Sequence, residues 1–416
     1  MAGGAKRPVR RSGTSTNSAR HSRRTRPLRV LMVIDQFNIG GTETHVYALT
    51  RELLKQGVEV AVAGKQGKLL GRFAGLGIPC YELDFVLNNH EYNADNGPLH
   101  GELLASIIAK ERIDLVHGHQ FPSGYPAFAA AEMTKVPFVF TLHGSYYDEL
   151  FLRTISVRER SRIISVSPPL KELIRQFGIE SDLVANGIDE RDYAAYRAHD
   201  GPYRSYIRNQ LGIPTEAKLI MYASRMSWEK ADICEQLIHG MSSLRLSGYT
   251  DCHLMIVGGG KQERLIEQLA TEHNELFGSA FIHCFGEVDN IHTYYAASDL
   301  VIGTGRIALE AMACCRPLIA VGSRGYLGLI RSEVWPEAWR TWFGDHDAKR
   351  RMTRRRLTSD MKEVILMSGS RLHEIIAANL RHVSSAYPIA RTARETISIY
   401  ERLTRMQTFS TRRTTR

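Results

Sequence analysis

One repeated unit constrains this chain more than any other feature: a short, almost continuous apolar run, a turn, and a stretch with helical spacing. Residues 29–34 (RVLMVI) lead through Ile39, Gly40 and Gly41 into residues 42–56, where His45, Leu49 and Leu53 recur every four positions. Runs without apolar–polar alternation are what strands buried on both faces of a parallel sheet require. The unit recurs with strands at 58–63, 115–116, 138–142 and 163–166 and helices at 103–110, 127–133 and 168–177. Residues 190–212, rich in Arg, Asp, Tyr and His, break the pattern, and 218–223 (KLIMYA) restarts it. Strands at 253–257, 281–283, 300–302 and 317–321 then alternate with helices at 232–246, 262–275, 291–297 and 308–313. Residues 370–403 read as helical, interrupted at Pro388. The expectation is an α/β chain with two Rossmann-like domains, whose ligands sit at the carboxyl ends of the strands. The expected boundaries are a basic tail at 1–28, a first domain at 29–195, a linker at 196–215, a second domain at 216–388, a helix at 389–404 and a basic tail at 405–416.

Composition removes several classes. At 416 residues, two or three domains are expected. No stretch approaches the roughly 20 apolar residues of a membrane span. The net charge of +10 is a property of the ends: residues 1–29 hold nine Lys or Arg and 405–416 hold four, with no acid in either, which leaves −3 for residues 30–404. A nucleic-acid partner therefore has only the tails to recommend it. A third basic segment, residues 349–356 from Lys349 to Arg356 (KRRMTRRR), would suit an anionic membrane surface. The N-terminus lacks the apolar core of a secretory signal, though its Arg- and Ser-rich, acid-free composition also fits a transit peptide. Six irregularly spaced cysteines without a CxxC pair suggest neither a zinc ribbon nor a disulfide framework. The expected location is cytoplasmic, peripheral at the inner face of a membrane.

Four places carry candidate chemistry. Gly40-Gly41-Thr42-Glu43 opens a helix after the first strand, where free amides favour an anion; the GxGxxG spacing of a dinucleotide site is missing. Arg225 and Lys230 follow the first strand of the second half, as two cations able to hold a diphosphate and offset the charge growing on it. The segment from Ile302 through Gly303, Thr304, Gly305 and Arg306 to Glu310 runs strand, turn, helix; the turn can hold a phosphate and Glu310 can accept from two ribose hydroxyls. His143 ends a strand and can contact a sugar hydroxyl. His117 and His119 end another, and a metal is the minor reading there. Gly258-Gly259-Gly260-Lys261 is a strand–helix turn, since Gln262 stands where a P-loop needs Ser or Thr.

In this order these elements resemble the family 4 glycosyltransferases of the GT-B fold, over residues 29 to about 330. The matching segments are Gly40-Gly41 with Glu43, Asp114-Leu115-Val116-His117, Thr141-Leu142-His143-Gly144, Asn186-Gly187-Ile188-Asp189, Arg225 with Lys230, Val257-Gly258-Gly259-Gly260 and Glu310-Ala311-Met312-Ala313. The resemblance implies two domains facing across a cleft, with the last helix returning to the first domain. It also implies retaining transfer from a nucleotide-diphosphate sugar to a glycan, lipid-linked or cell-envelope acceptor, with no cofactor and no obligate metal. By it, Arg225 and Lys230 hold the diphosphate, Glu310 the ribose, and His143 the donor sugar, with Gly40 and Gly41 on the cleft floor. The family's second Glu, eight residues before Glu310, is replaced by Ile302; its Lys-Gly step reads Lys230-Ala231, its Gly before Arg reads Ser224, and its Gly after the Glu-Ala-Met helix reads Cys315. Arg306 could substitute a cation for the lost carboxylate. A catalytically weak homologue that binds without transfer is the alternative, and a nucleotide-sugar epimerase or hydrolase using Asp35, Glu43 or Asp148 is a further rival.

Overall fold

The computed structural model describes residues 26–86, 97–198, 201–346 and 348–413. The first sheet contains β1 (Arg29–Gln36), β2 (Glu59–Lys65), β3 (Cys80–Glu82), β4 (Leu115–Gly118), β5 (Phe138–Leu142), β6 (Ser161–Ser165) and β7 (Asp182–Leu183). Its order is β3-β2-β1-β4-β5-β6-β7, and its neighbouring strands run parallel. The second contains β8 (Lys218–Ala223), β9 (Cys252–Val257), β10 (Ile282–Cys284), β11 (Leu300–Gly303), β12 (Leu318–Gly322) and β13 (Gly325–Leu329), ordered β10-β9-β8-β11-β12-β13. Among the described strands only β13 is antiparallel to its neighbour, and its two glycines and short length hid it from the sequence pattern.

Each unbroken apolar strand feeds two cores. Along β1, Leu31 and Val33 enter one cluster, while Val30, Met32 and Ile34 enter the other, as the two-residue period of a strand dictates. Along β8, Leu219, Met221 and Ala223 face one side and Ile220 and Tyr222 the opposite one. Strand order reverses direction between β1 and β4, and again between β8 and β11. The carboxyl ends of those pairs are where such sheets leave a crevice.

The pattern break at 190–212 is not a free linker. Helix Pro202–Gln210 is docked on the second domain, with Arg204 and Arg208 buried and both paired to Asp299, at 2.6 and 2.5 Å. It buries arginines where an amphipathic helix buries leucines, so an apolar period could not reveal it. Arg26, within the basic segment expected at 1–28, grips Asp114 through its guanidinium with hydrogen bonds of 3.1 and 2.7 Å. The rest of the basic N-terminal tail lies outside the described residues.

Helix Gly369–Ala386 ends at Tyr387, and after Pro388 helix Ile389–Arg413 runs back over the first domain. Ile389, Ala393, Ile399, Tyr400 and Leu403 complete the core around β1. The crossing point is the segment Asn186-Gly187-Ile188-Asp189. The Ile188 N–H donates to the Tyr387 carbonyl at 2.9 Å, and a Cβ on Gly187 would lie 2.7 Å from the Ile389 Cα. This helix extends past 404, and Arg405 pairs with Glu401 at 2.8 Å.

Candidate active site

On the first-domain edge, β1 delivers the chain to Gly40, which precedes helix Gly41–Lys55. Gly40 is extended, so its backbone would suit any residue; the constraint is steric, because a Cβ there would sit 2.3 Å from the Glu43 Oε2. A Cβ on Gly41 would meet open space. Glu43 is buried, and its Oε1 accepts from the Gln120 amide at 2.7 Å. The Gln120 carbonyl oxygen accepts from the Asp35 N–H at 2.8 Å, and Asp35 Oδ1 accepts from the Ser123 N–H at 2.9 Å. Burial pushes Asp35 up to about 6 and Glu43 up to about 7. Arg225, reaching across from the second domain, counteracts part of the Glu43 shift.

Beside the carboxylates lie four histidines: His45, His117, His119 and His143. His117 is fixed by the Tyr400 hydroxyl at 2.6 Å and the Thr141 hydroxyl at 2.7 Å. His119 Nε2 lies 3.4 Å from the Met32 sulfur, and its Nδ1 lies 3.2 Å from the His143 Nε2. Burial holds His143 down at about 3 and keeps the other three well below the usual imidazole range, so all four rings are neutral. The network then fixes the tautomers. A thioether only accepts, so His119 carries its single proton on Nε2 and accepts at Nδ1. His143 therefore donates from Nε2 and keeps a bare Nδ1, which is buried without a partner. That lone pair can accept from a hydroxyl. Among the described residues no cluster of His, Cys, Asp or Glu is arranged to hold a metal ion.

On the second-domain edge, the loop after β8 carries Arg225, exposed, and Lys230, half-buried at the start of helix Glu229–Leu246. Between them Trp228 takes φ 48° and ψ −137°, an uncommon conformation for a bulky residue, and its exposed ring lies 5.8 Å from that of Tyr146 across the cleft. The glycine turn underpins this loop. Gly258 has φ +127°, and a Cβ there would fall 1.9 Å from the Ser224 carbonyl oxygen, so only glycine admits the approach. Gly258 thus acts by supporting the cation loop.

The turn from β11 into helix Gly305–Ala313 departs most from expectation. Ile302 is fully buried inside β11, aligned with Tyr222 and Ile319 on either side. The position where a donor-sugar carboxylate was sought is therefore a core position. Thr304 is buried, and its hydroxyl donates to the Phe343 carbonyl at 2.9 Å rather than facing a ligand. Arg306 is only 11% exposed and turns inward: its Nε donates to Glu310 Oε1 at 2.7 Å, and its Nη1 to the Gly187 carbonyl at 3.4 Å. Burial opposes its charge, but Glu310 and Tyr193 outweigh that and raise its pKa. Glu310 also accepts from the Tyr193 hydroxyl at 3.2 Å and the Tyr295 hydroxyl at 3.0 Å. A carboxylate offers about four acceptor directions. With three filled, Glu310 has room for one ribose hydroxyl rather than the two expected. What the turn still presents is the unpaired N–H groups of its first helical residues.

The structure brings Gly40, Gly41, Glu43, His143, Arg225, Lys230 and the Gly303–Gly305 turn to facing strand ends. Asn186 belongs to the crossing point of the last helix, and its buried Oδ1 has no partner. Asp345 was not anticipated. It lies 3.2 Å from the Lys230 ammonium and would be 3.6 Å from a Cβ on Gly305. Three successive left-handed residues, Trp342, Phe343 and Gly344, place it there. No sequence spacing signals such a bend, although the glycine before an aspartate hints at a turn. Gln120 was also missed, because an amide gives no pattern.

Residues 39–192 match the family model described as Glycosyltransferase Family 4, and residues 204–349 match that of Glycosyl transferases group 1. The chain is 24% identical over 338 residues to a D-inositol 3-phosphate glycosyltransferase of Xylanimonas cellulosilytica, covering 71% of this chain and 78% of that protein. It is also 24% identical over 338 residues to a glycogen synthase of Mycobacterium tuberculosis, covering 70% of this chain and 77% of that protein. Among solved structures, a glycosyltransferase of Rickettsia africae superposes with a TM-score of 0.70 at 18% identity, covering 91% of this chain and 98% of that one. The Anabaena protein HepE in complex with UDP and glucose superposes with a TM-score of 0.67 at 17% identity, covering 89% and 98%.

Proposed function

The chain belongs to the family 4, group 1 glycosyltransferases, with a GT-B fold, and from that premise we propose retaining, metal-independent transfer of a sugar from a nucleotide diphosphate to a glycan or lipid-linked hydroxyl. The observation that carries the reading is the pair Arg225 and Lys230 beside the first turn of helix Gly305–Ala313, facing the neutral His143 across the cleft. In the reaction the bond from the sugar's anomeric carbon to the phosphate oxygen breaks and a bond to the acceptor oxygen forms. The acceptor's proton goes to the departing phosphate oxygen, which places entry and departure on one face. Arg225, Lys230 and the helix amides offset the charge growing on the diphosphate, the task that would otherwise fall to a divalent cation. His143 lies on the donor-sugar side, where a shift of its ring would open the bare, buried Nδ1 to a hydroxyl of the donor sugar.

The acceptor side is the first domain. Lys349, Arg350, Arg351, Arg354, Arg355 and Arg356 are all exposed and would meet an anionic membrane surface if the acceptor is lipid-linked. No helix among the described residues is long and apolar enough to cross a membrane. The weak-homologue reading has one observation of its own, the replacement of a cleft carboxylate by the core residue Ile302.

The test is turnover of purified protein with UDP-, GDP- and ADP-sugars, membrane extract as acceptor, and EDTA present. UDP-sugars come first because the Anabaena neighbour is solved with UDP and with UDP-glucose. Donor-dependent release that survives EDTA, with the anomeric configuration retained by NMR, is the expected result. Saturable nucleotide binding with no release would favour the binding-only reading. Release that EDTA abolishes would remove metal independence.

A further inference from the structure

A second site lies on the face of the second domain remote from the cleft, at the amino ends of β8, β11 and β12. There a cavity of about 530 Å³ opens beneath helix Gly369–Ala386. Ile220, Leu300, Leu372 and Ile376 contribute apolar walls, and Arg197 and Arg316 are part of the same lining. Its volume falls in the usual range for small-molecule sites, roughly 300–1,000 Å³.

The electrostatics beside it are unbalanced. Arg204, Arg208 and Arg316 are each at most 5% exposed, yet they share one carboxylate, Asp299. Both Asp299 oxygens are already taken, by Arg204 at 2.6 Å and Arg208 at 2.5 Å. Arg208 is further satisfied by the carbonyls of Ala297, Pro214 and Ala217. Arg316 is not so served. Its Nη2 donates to the Tyr196 carbonyl at 3.0 Å and more weakly to that of Arg197, and its buried Nε–H has no acceptor. Arg197 is itself paired with Glu190 at 3.3 Å. Burial and the neighbouring Arg204 both press the Arg316 pKa down. A buried guanidinium without an acid of its own is costly, and it lines a cavity with room for a ligand, where Lys218 adds a second cation and the one acid, Asp299, is already spent on Arg204 and Arg208.

We propose that this cavity binds a single-chain amphiphilic anion, its carboxylate or phosphate head on Arg316 and its hydrocarbon chain along the walls of Leu372 and Ile376. The head supplies the charge that Asp299 cannot, and the chain fills the space between the strand ends and helix Gly369–Ala386. That helix leads through Pro388 into the helix that closes the first domain, so occupancy stiffens the connection between domains. The site stands apart from the transfer reaction and does not depend on it.

Calorimetric titration of the full chain with laurate, dodecyl phosphate, dodecanol and dodecyltrimethylammonium, each below its micelle concentration, tests this directly. One equivalent of laurate or dodecyl phosphate should bind, at least tenfold tighter than dodecanol, with no binding of the cation; the tighter anion names the head group. Arg316→Gln should weaken the anion at least tenfold while leaving dodecanol unchanged. Ala377→Trp, which fills the cavity from helix Gly369–Ala386, should abolish both. No saturable anion binding, or equal affinity for anion and cation, overturns the proposal. So does unchanged anion binding in Ala377→Trp. The ligand series uses unaltered protein, so it remains decisive if either variant fails to fold.

Discussion

The two walls of the cleft are built from opposite materials. The first-domain wall holds four neutral histidines and two buried carboxylates pushed toward neutrality, joined by an amide relay through Gln120. The second-domain wall presents Arg225 and Lys230 with a helix N-terminus. A wall of neutral rings and weakened acids costs less to bring against an uncharged sugar hydroxyl, while a cationic one is suited to a dianion. The contrast separates recognition of hydroxyls from stabilisation of departing charge, and assigns one to each domain.

Predictions can be ranked by how hard they press on that contrast. The largest effect is expected from Ile302→Glu. If the second wall lacked only a side chain, this change would restore a sugar contact; because Ile302 is fully buried in β11, it should instead bury a carboxylate and destabilise by about 4 kcal/mol or more. Thermal melting decides, and a folded variant with tighter donor binding would break the assignment. Next, Arg225→Ala should lower kcat by about 10²–10³-fold with a smaller change in acceptor KM. A change confined to acceptor KM would move the cation to the other wall's task.

His143→Ala should cost about 1–3 kcal/mol in kcat/KM, roughly five- to 150-fold, through loss of one acceptor. Nucleotide diphosphate affinity, measured separately, should stay put. Acid should also weaken the fold that holds both walls. A histidine held neutral contributes stability that is present above its unfolded pKa near 6.5 and lost as pH falls toward its folded value, about 3 for His143. Asp35 and Glu43, raised to about 6 and about 7, act in the opposite sense, contributing stability below their unfolded values that is lost as pH rises through 6 to 7. Four histidines outnumber two carboxylates, so net stability should fall between pH 6.5 and 5, by at most about 1.4 kcal/mol per pH unit per histidine. In the second domain burial also lowers His253, His273, His292 and His382 and holds His283 down at about 4, so the loss is shared by both domains. Denaturant titration at pH 6.5 and at pH 5 checks this, and equal or greater stability at pH 5 would break it. Smallest of all, Gly41→Ala should shift stability by no more than about 0.5 kcal/mol, because its Cβ meets nothing.

The strands were legible wherever burial on both faces wrote a continuous apolar run, as in β1, β5 and β8. Helix Pro202–Gln210 was not, since two of the three residues on its buried face are Arg204 and Arg208, beside Ile207, and β13 was too glycine-rich to declare itself. In the site, residues held by backbone position could be found from turn and strand order: Gly40, His143, Arg225, Lys230. Residues defined by long-range pairing could not. Nothing local says that Arg306 turns inward to Glu310, that Thr304 is spent on Phe343, or that Asp345 comes to lie beside Lys230. Ile302 shows the hazard of counting eight residues back from Glu310 when β11 passes so directly into its helix.

Helix Ile389–Arg413 sets a schedule for synthesis. Tyr400, which holds His117, and Ile389, which closes over Gly187, are translated some two hundred residues after the first sheet's last strand. At about 5–20 residues per second the first domain waits roughly ten to forty seconds with the face of β1 that Tyr400 covers still open. The domain translated first of the two is thus among the last to finish, and until then a chaperone has an apolar surface to hold.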